Sequence, residues 1–537
     1  MMEKYKDRIG NIYFFTPTPK HEYNVKKFGA EGDGRTVDVV AIQRAINAIR
    51  GSTLYFPEGI YIVKAGAPET DAILHLAKTG LKICGDGPGV STIKVADACP
   101  TYAWLLGPDT AGTDLSGLEI CDLTFDHNIA NNPITNEAEI IAWPEYSCGT
   151  YEGSGVSIHD LEVINASSMN NIVVNGTGSN HLFQNITCSV IGDDPNHIEH
   201  DASFIYVDSS DYSIKNCDLS CASPGLLGER CAIETHGTDY TVENNTTLNF
   251  EVGMNITGVS DVTAENVLVN NNDISGCYLG IVLWSNQYGG HVAGYGIDGC
   301  AVTYNTIDIE PCGGVGDTKV RGGIIIDYNS DLDLNDITID HNDITDTLET
   351  VAGGSNDVSL GIGWYSTTGN KLSNSLITNN TLTNFPNAAI RLSSCDLDTV
   401  AITGNTFTDC GSTMAAMVDP YRTPIFIGVV NSDTLTISNN AFVDDIAVTR
   451  IPYFMYLTAA TTSDDFVIDG NTFSITGDKV VFVRHIEVDG AVSRPTITGT
   501  IDDFVPPWGN VKHPVTLIHD LGTEWTVDVD EVTWSQV

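Results

Sequence analysis

Positive charge is scarce in this chain. Its 25 Lys and Arg residues stand against 70 Asp and Glu, a formal net charge of -45. Such a surface repels nucleic-acid phosphates and anionic membranes, so neither is an expected partner. It suits a saline milieu, divalent cations, or a neutral or cationic partner. Long apolar runs are missing too: no stretch of about 18 residues reads as a membrane span, so no membrane insertion is expected. Residues 1–24 lack the basic, apolar and small-residue succession of a secretory leader. The thirteen cysteines are scattered, with no CxxC pair at zinc-site spacing. They are expected to be buried, reduced thiols in a protein finished inside a cell.

What the chain has instead is a repeat. Its 537 residues exceed what one compact core needs, unless the fold grows by stacking. The segments "VENNTTL" (242–248), "VNNNDIS" (269–275), "VTYNTID" (302–308) and "IDHNDIT" (339–345) share one pattern, continued by "ITNNTLT" (377–383), "ITGNTFT" (402–408), "ISNNAFV" (437–443) and "IDGNTFS" (468–474). In each, a β-branched residue shortly precedes an asparagine, and an apolar residue follows two positions later. The aligned asparagines are Asn245, Asn272, Asn305, Asn342, Asn380, Asn405, Asn440 and Asn471, with Cys217 taking the place in "IKNCDLS" (214–220). Short strands and turns at such intervals predict an all-β parallel β-helix, one repeat per coil. Stacked asparagines at a tight bend would pass amide hydrogen bonds from coil to coil.

A second strand precedes each asparagine strand. Aligned on a small residue, these are "SFIYV" (203–207), "AIETH" (232–236), "GMNIT" (253–257), "GIVLW" (280–284), "GIIID" (323–327), "GIGWY" (361–365) and "AIRLS" (389–393). Second and fourth positions are mostly large and apolar, as core positions should be. Third and fifth positions then face out. One outward column reads Ile205, Glu234, Asn255, Val282, Ile325, Gly363, Arg391; the other reads Val207, His236, Thr257, Trp284, Asp327, Tyr365, Ser393. At a stacking distance of about 4.8 Å, these columns predict an open wall.

Residues 25–63, "VKKFGAEGDGRTVDVVAIQRAINAIRGSTLYFPEGIYIV", predict a helix over 38–50 with Asp38 near its start, then a strand broken by a Pro-Glu-Gly turn. The helix would cover strand edges at the end of the solenoid. On Phe28-Gly29-Ala30, Gly32-Asp33-Gly34, Asp38, Ala41-Ile42, Ala45, Phe56-Pro57 and Gly59-Ile60-Tyr61, this segment resembles the start of the pectate-lyase-like superfamily of right-handed parallel β-helices, many phage tailspikes among them. The coil pattern extends the resemblance over roughly residues 25–500. It implies the fold, a frequent trimer and frequent action on polysaccharide, but not one chemistry, since members include lyases, hydrolases, epimerases and inactive binders. The polygalacturonase pattern finds only faint counterparts in "GDD" (192–194) and "THG" (235–237), with no Arg-x-Lys to follow, and its mechanism is not carried over.

The expected organisation is a docking arm at 1–24, a capping segment with first coils at 25–80, and the β-helix at 81–500. The β-helix carries an insertion near 131–153 with Trp143, Tyr146 and Tyr151, and a C-terminal β-element follows at 501–537. The candidate catalytic residues are Glu234, His236, Asp327 and Asp201. Glu234 and His236 would supply an acid and a base, Asp201 a second carboxylate on the neighbouring coil, and Arg230 a cation for an anionic sugar. Trp284, Tyr365, Arg391 and Asn255 are candidate sugar contacts, because sugar C–H faces stack on aromatic rings. Asp193, Asp194 and His197, in "IGDDPNHIEHDASF" (191–204), form a candidate site for a divalent cation such as calcium; no cofactor is otherwise required. Hydrolysis would need carboxylates ~5–5.5 Å or ~6.5–9.5 Å apart. Lyase or epimerase chemistry would need a base and charge stabilisation beside a uronate.

With the resemblance, these features point to a homotrimeric tailspike or tail-fibre protein that binds and cleaves a host cell-surface polysaccharide. It would be assembled in host cytoplasm, join other virion tail proteins through residues 1–24, and act as part of the virion tail at the host surface. Two alternatives are a non-catalytic virion spike or decoration that binds glycans, and a cellular polysaccharide lyase or epimerase.

Overall fold

In the computed structural model, most of residues 23–475 are described. The exceptions are 50–52, 67–71, 101, 103, 111, 133–145, 151, 167–169, 191–201, 222–229, 260–262, 287–294, 311–319, 329–332, 347–357, 366–369, 412–422, 430–432, 445–452 and 464–465. Outside that range only short strands are described. Among these, Glu3–Lys6 and Ile12–Phe15 pair antiparallel with each other, apart from the main sheet.

Each coil contributes three strands, and each strand pairs in parallel with its counterpart one coil on. Wall I includes the strands Arg230–His236, Val252–Val259, Leu279–Asn286, Val320–Tyr328, Val358–Tyr365 and Ile390–Ser393. Wall II includes Thr238–Glu243, Ala264–Asn270 and Tyr295–Thr303, and wall III Thr246–Leu248, Asp273–Cys277 and Thr306–Ile309. Alternation sends every second residue inward, and those inward residues form one continuous apolar core from Val25 to Met455. The expected parallel β-helix is thus the observed fold. Wall I does not stop at residue 500, because Thr516–Asp520 pairs with Arg484–Val492.

The asparagine series lies at the corner between walls II and III. All eight are buried. Asn305 Nδ2 donates to Asn342 Oδ1 at 2.9 Å, Asn342 Nδ2 to Asn380 Oδ1 at 2.9 Å, and Asn380 Nδ2 to Asn405 Oδ1 at 3.0 Å. The ladder runs from Asn245 to Asn471. Cys217 occupies the expected asparagine place, its backbone N–H donating to Asn245 Oδ1 at 3.0 Å. The residue before each ladder asparagine is left-handed, for example Asn271 (φ 53°), Asn379 (φ 54°) and Gly404 (φ 70°). That backbone need explains the Asn-Asn and Gly-Asn pairs of the repeat. Tyr304 (φ 55°) and His341 (φ 55°) are exceptions, and their rings stack at 4.9 Å.

At the amino-terminal end the helix Val39–Ala48 buries Ala41, Ile42, Ala45 and Ile46. It packs on Ala72–Leu76, a strand of wall I, where a further strand would otherwise lie. Gln43 completes the substitution: its Nε2 donates to His75 O at 3.0 Å and its Oε1 accepts from His75 N at 2.9 Å. One side-chain amide thereby satisfies a strand edge. Asp38 does not cap the helix with its side chain. Its carboxylate accepts from Glu31 N at 2.8 Å and Gly32 N at 3.0 Å, pinning the preceding loop. At Gly59 a Cβ would lie 2.6 Å from Gly32 O, so the Pro-Glu-Gly turn needs glycine there.

Candidate active site

The strand Arg230–His236 turns Ile233 and Thr235 into the core and Glu234 and His236 outward, as the alternation predicts. Glu234 and His236 are nonetheless only 2% and 7% exposed, so the open wall expected at this point is a covered one. His236 Nε2 lies 3.0 Å from Glu234 Oε1, and Ser203 Oγ donates to Glu234 Oε2. The Tyr206 ring lies 5.2 Å from the imidazole at a 45° tilt. A carboxylate accepting from Nε2–H fixes the tautomer and leaves the Nδ1 lone pair as the free base of the ring. That atom is buried and has no hydrogen-bond partner among the described residues, and the same holds for Asn255 Oδ1 and Thr257 Oγ1. Asn255 and Thr257 stand one coil on, opposite Glu234 and His236. Three orphaned polar atoms on one patch call for a bound polar partner.

The coil before the pair departs from the expected alignment by one residue. Ile205 is opposite Ile233 and Val207 opposite Thr235, so both are core residues rather than members of the outward columns. Tyr206 and Asp208 take the outward places, opposite Glu234 and His236. Alignment on the small residue misled because Ser203 matches Cys231, not Ala232. Tyr206, Asp208 and Ser203 are therefore site residues that sequence reasoning missed. Asp208 and Glu234 sit diagonally, ~8 Å apart by strand spacing and rise.

Towards the carboxyl end the first column holds: Asn255, Val282, Ile325, Gly363 and Arg391 pair in succession. It is not a polar track. Val282, Ile325 and Phe426 are 6%, 0% and 5% exposed, and with Leu360 and Ala388 they form a second apolar cluster on the outer face. A Cβ on Gly363 would lie 2.5 Å from Leu360 Cδ1, so glycine there lets Leu360 fold over the column. Trp284 is half-buried against this cluster rather than an open platform. Arg391 is half-buried, with Nε 3.2 Å from Ser393 Oγ and the guanidinium 5.7 Å from the Phe426 ring centre.

The second column fails at Asp327. The register shifts between Ile326 and Tyr328, and Tyr328 stands opposite Tyr365. The alternation Trp284, Asp327, Tyr365 is therefore broken by one residue at the backbone. The side chains of Asp327, Tyr365 and Arg230 lie outside the described residues, as do Asp193, Asp194, His197 and Asp201 entirely. Of the insertion aromatics, Tyr146 belongs to a wall I strand, Tyr146–Thr150, while Trp143 and Tyr151 are outside the described residues.

Residues 23–282 match the model of the family described as rhamnogalacturonase A/epimerase, pectate lyase-like, just under half of the chain. The solved tailspike protein of E. coli bacteriophage HK620, a mutant in complex with a pentasaccharide, superposes with a TM-score of 0.58 at 13% identity, covering 90% of this chain and 84% of that one. Over residues 23–282 the chain is similar to the pectate-lyase-like family, and it shares the parallel β-helix fold. Among curated proteins, alginate lyase 7 of Azotobacter vinelandii is 40% identical over 113 residues, 20% of this chain and 13% of that protein. Mannuronan C5-epimerase AlgE4 of the same organism is 38% identical over 113 residues, 20% of each. The chain thus spans a small part of the length of the curated relatives it matches. None of its helices among the described residues is long and apolar enough to cross a membrane.

Proposed function

We propose that this β-helix protein binds a uronate-containing polysaccharide along wall I and processes it with His236 Nδ1 as the base. Glu234 is the positioning carboxylate: it holds the ring tautomer and stabilises the imidazolium formed when the proton is taken. The observation that carries this reading is the outward, shielded Glu234–His236 pair with its orphaned Nδ1 beside Asn255 and Thr257. Removing the proton next to a uronate carboxyl is the shared first step of β-elimination and of C5 inversion. The sequence similarity to an alginate lyase and a mannuronan epimerase supports that choice over hydrolysis. Virion tail attachment, a homotrimer and action at a host cell surface belong to the same proposal.

The test uses the full chain and acidic polysaccharides, alginate first. Unsaturated uronate absorbance marks elimination, and deuterium uptake from heavy water without chain cleavage marks inversion. We expect His236→Gln to abolish either signal. Glu234→Gln exchanges a charge-assisted hydrogen bond worth about 1.5–3 kcal/mol for a neutral one, a loss of roughly tenfold to a hundredfold. Asp327→Asn should leave turnover unchanged. Full activity in His236→Gln would refute the assignment.

A second reading, glycan binding without turnover, draws on the burial of Glu234 and its hydrogen bonds with Ser203 and His236. It predicts saturable binding of the same polymers with no product.

A further inference from the structure

A different wall carries a cluster that the proposed reaction does not use. On the outer face of wall II, three successive coils place Cys84, Cys121 and His159 in one row, with Lys82 and Glu119 in the row beside it. Cys84 and Cys121 stand directly opposite each other on neighbouring strands, and both cysteines are reduced. Glu119 Oε1 is 3.9 Å from Cys121 Sγ and 3.3 Å from His159 Nε2. One donor atom each from Glu119, Cys121 and His159 lies within 4.8 Å of the others.

The imidazole supplies the second, independent observation. His159 Nδ1 lies 2.7 Å from Asp160 Oδ2, and Asp160 Oδ1 in turn accepts from Asn185 Nδ2 at 2.8 Å. Its other nitrogen, Nε2, lies 3.3 Å from Glu119 Oε1, so the ring is held between two carboxylates. A carboxylate holding the far nitrogen of an imidazole is also the usual outer support of a metal-bound histidine.

We propose that Cys84, Glu119, Cys121 and His159 form a binding site for a soft divalent cation of the zinc class, stapling three coils together. Two thiolates, an imidazole and a carboxylate make a four-donor set suited to tetrahedral zinc. Bonds of ~2.0–2.3 Å put tetrahedral donors roughly 3.3–3.8 Å apart, within a rotamer adjustment of the Glu119, Cys121 and His159 distances, and Cys84 stands opposite Cys121 on the neighbouring strand. All four positions are filled by protein, so the site is structural and leaves no place for substrate. Lys82, whose Nζ is 2.5 Å from Glu119 Oε1 and whose side chain is 40% exposed, neutralises Glu119 until the cation displaces it. No linear spacing announces the site because its donors come from three coils, about 35–40 residues apart, that meet only through stacking.

The test is a zinc titration of the chelator-treated full chain against a chromophoric competitor, with cobalt as a spectroscopic probe. We expect one ion per chain and, with cobalt, the visible bands of a tetrahedral centre with thiolate charge transfer. Cys121→Ser and the partly exposed His159→Gln should each weaken zinc binding about a hundredfold or more, with unchanged circular dichroism. Cys410→Ser, a buried thiol elsewhere, should not alter it. Lys82→Met should tighten binding by removing the competing ammonium. No stoichiometric zinc at micromolar concentration, an octahedral cobalt spectrum, or full binding in the Cys84→Ser/Cys121→Ser double variant would overturn the proposal.

Discussion

Replacing Asn342 with alanine removes one rung from the middle of the asparagine ladder. In the structure, Asn342 Oδ1 accepts from Asn305 N at 3.0 Å and from Asn305 Nδ2 at 2.9 Å. Its own Nδ2 donates to Val302 O at 2.8 Å and Asn380 Oδ1 at 2.9 Å. Asn380 Oδ1 keeps a donor, the Asn342 backbone N–H at 2.9 Å, and Asn305 Nδ2 keeps Val269 O. The variant therefore strands the Asn305 backbone N–H and one amide N–H of Asn305, both buried. Each unsatisfied buried group costs about 1–3 kcal/mol, and neighbouring losses are not additive. A local destabilisation of about 4 kcal/mol is the expected sum. A solenoid need not unfold in one step, so the proper assay is amide hydrogen exchange across residues 300–310. Four kcal/mol corresponds to roughly a thousandfold faster exchange. The control is Asn379→Gly, one residue from a ladder position. Asn379 is exposed and left-handed, and Gly404 takes the equivalent place one coil on. Glycine meets that backbone need, and only the exposed bond to Asp340 Oδ1 at 2.9 Å is lost, for a change below about 0.5 kcal/mol. Less than tenfold acceleration in Asn342→Ala, or equal effects in the two variants, would refute the reasoning.

Two pH predictions follow from titratable groups shifted by burial. Burial lowers the His127 pKa to about 4, Asp126 opposing only weakly. A folded-state value below the unfolded 6.5 means that stability is complete above pH 6.5 and lost as pH falls towards 4. The loss is about 3 kcal/mol, read as a lower urea midpoint at pH 4.5 than at pH 7, and His127→Gln should flatten it. Asp308 titrates the other way: burial first, then the charges of Glu310, Asp346 and Asp273, push it up to about 6. Its Oδ1 has no hydrogen-bond partner among the described residues. The ionised form thus costs stability progressively as pH rises from about 4 through 6. Asp308→Asn should raise the thermal midpoint at pH 7 and leave it unchanged at pH 3.5. A midpoint that falls at pH 7 would contradict this.

The chain's own order of residues determined the fold, because the forces that select it are local and periodic. Alternation put Ile233 and Thr235 inward, the β-branched residue and the asparagine fixed each corner, and left-handed backbone required the Asn or Gly before it. Those rules act within a few residues and so can be read along the line. The site was legible only to the same extent. Glu234 and His236 stand out because they occupy outward places in an otherwise apolar strand. Their consequences depend on neighbours that are close only in space. Tertiary packing alone placed Ser203 under Glu234, gave Tyr206 the outward position expected for Ile205, and closed Leu360 over Gly363 so that the outer column became apolar. Stacking also brought Cys84, Cys121 and His159 into one row. Register between coils is set by many backbone pairings at once, and one shifted residue, as at Ser203, reassigns a side chain from face to face without leaving a trace in the local sequence.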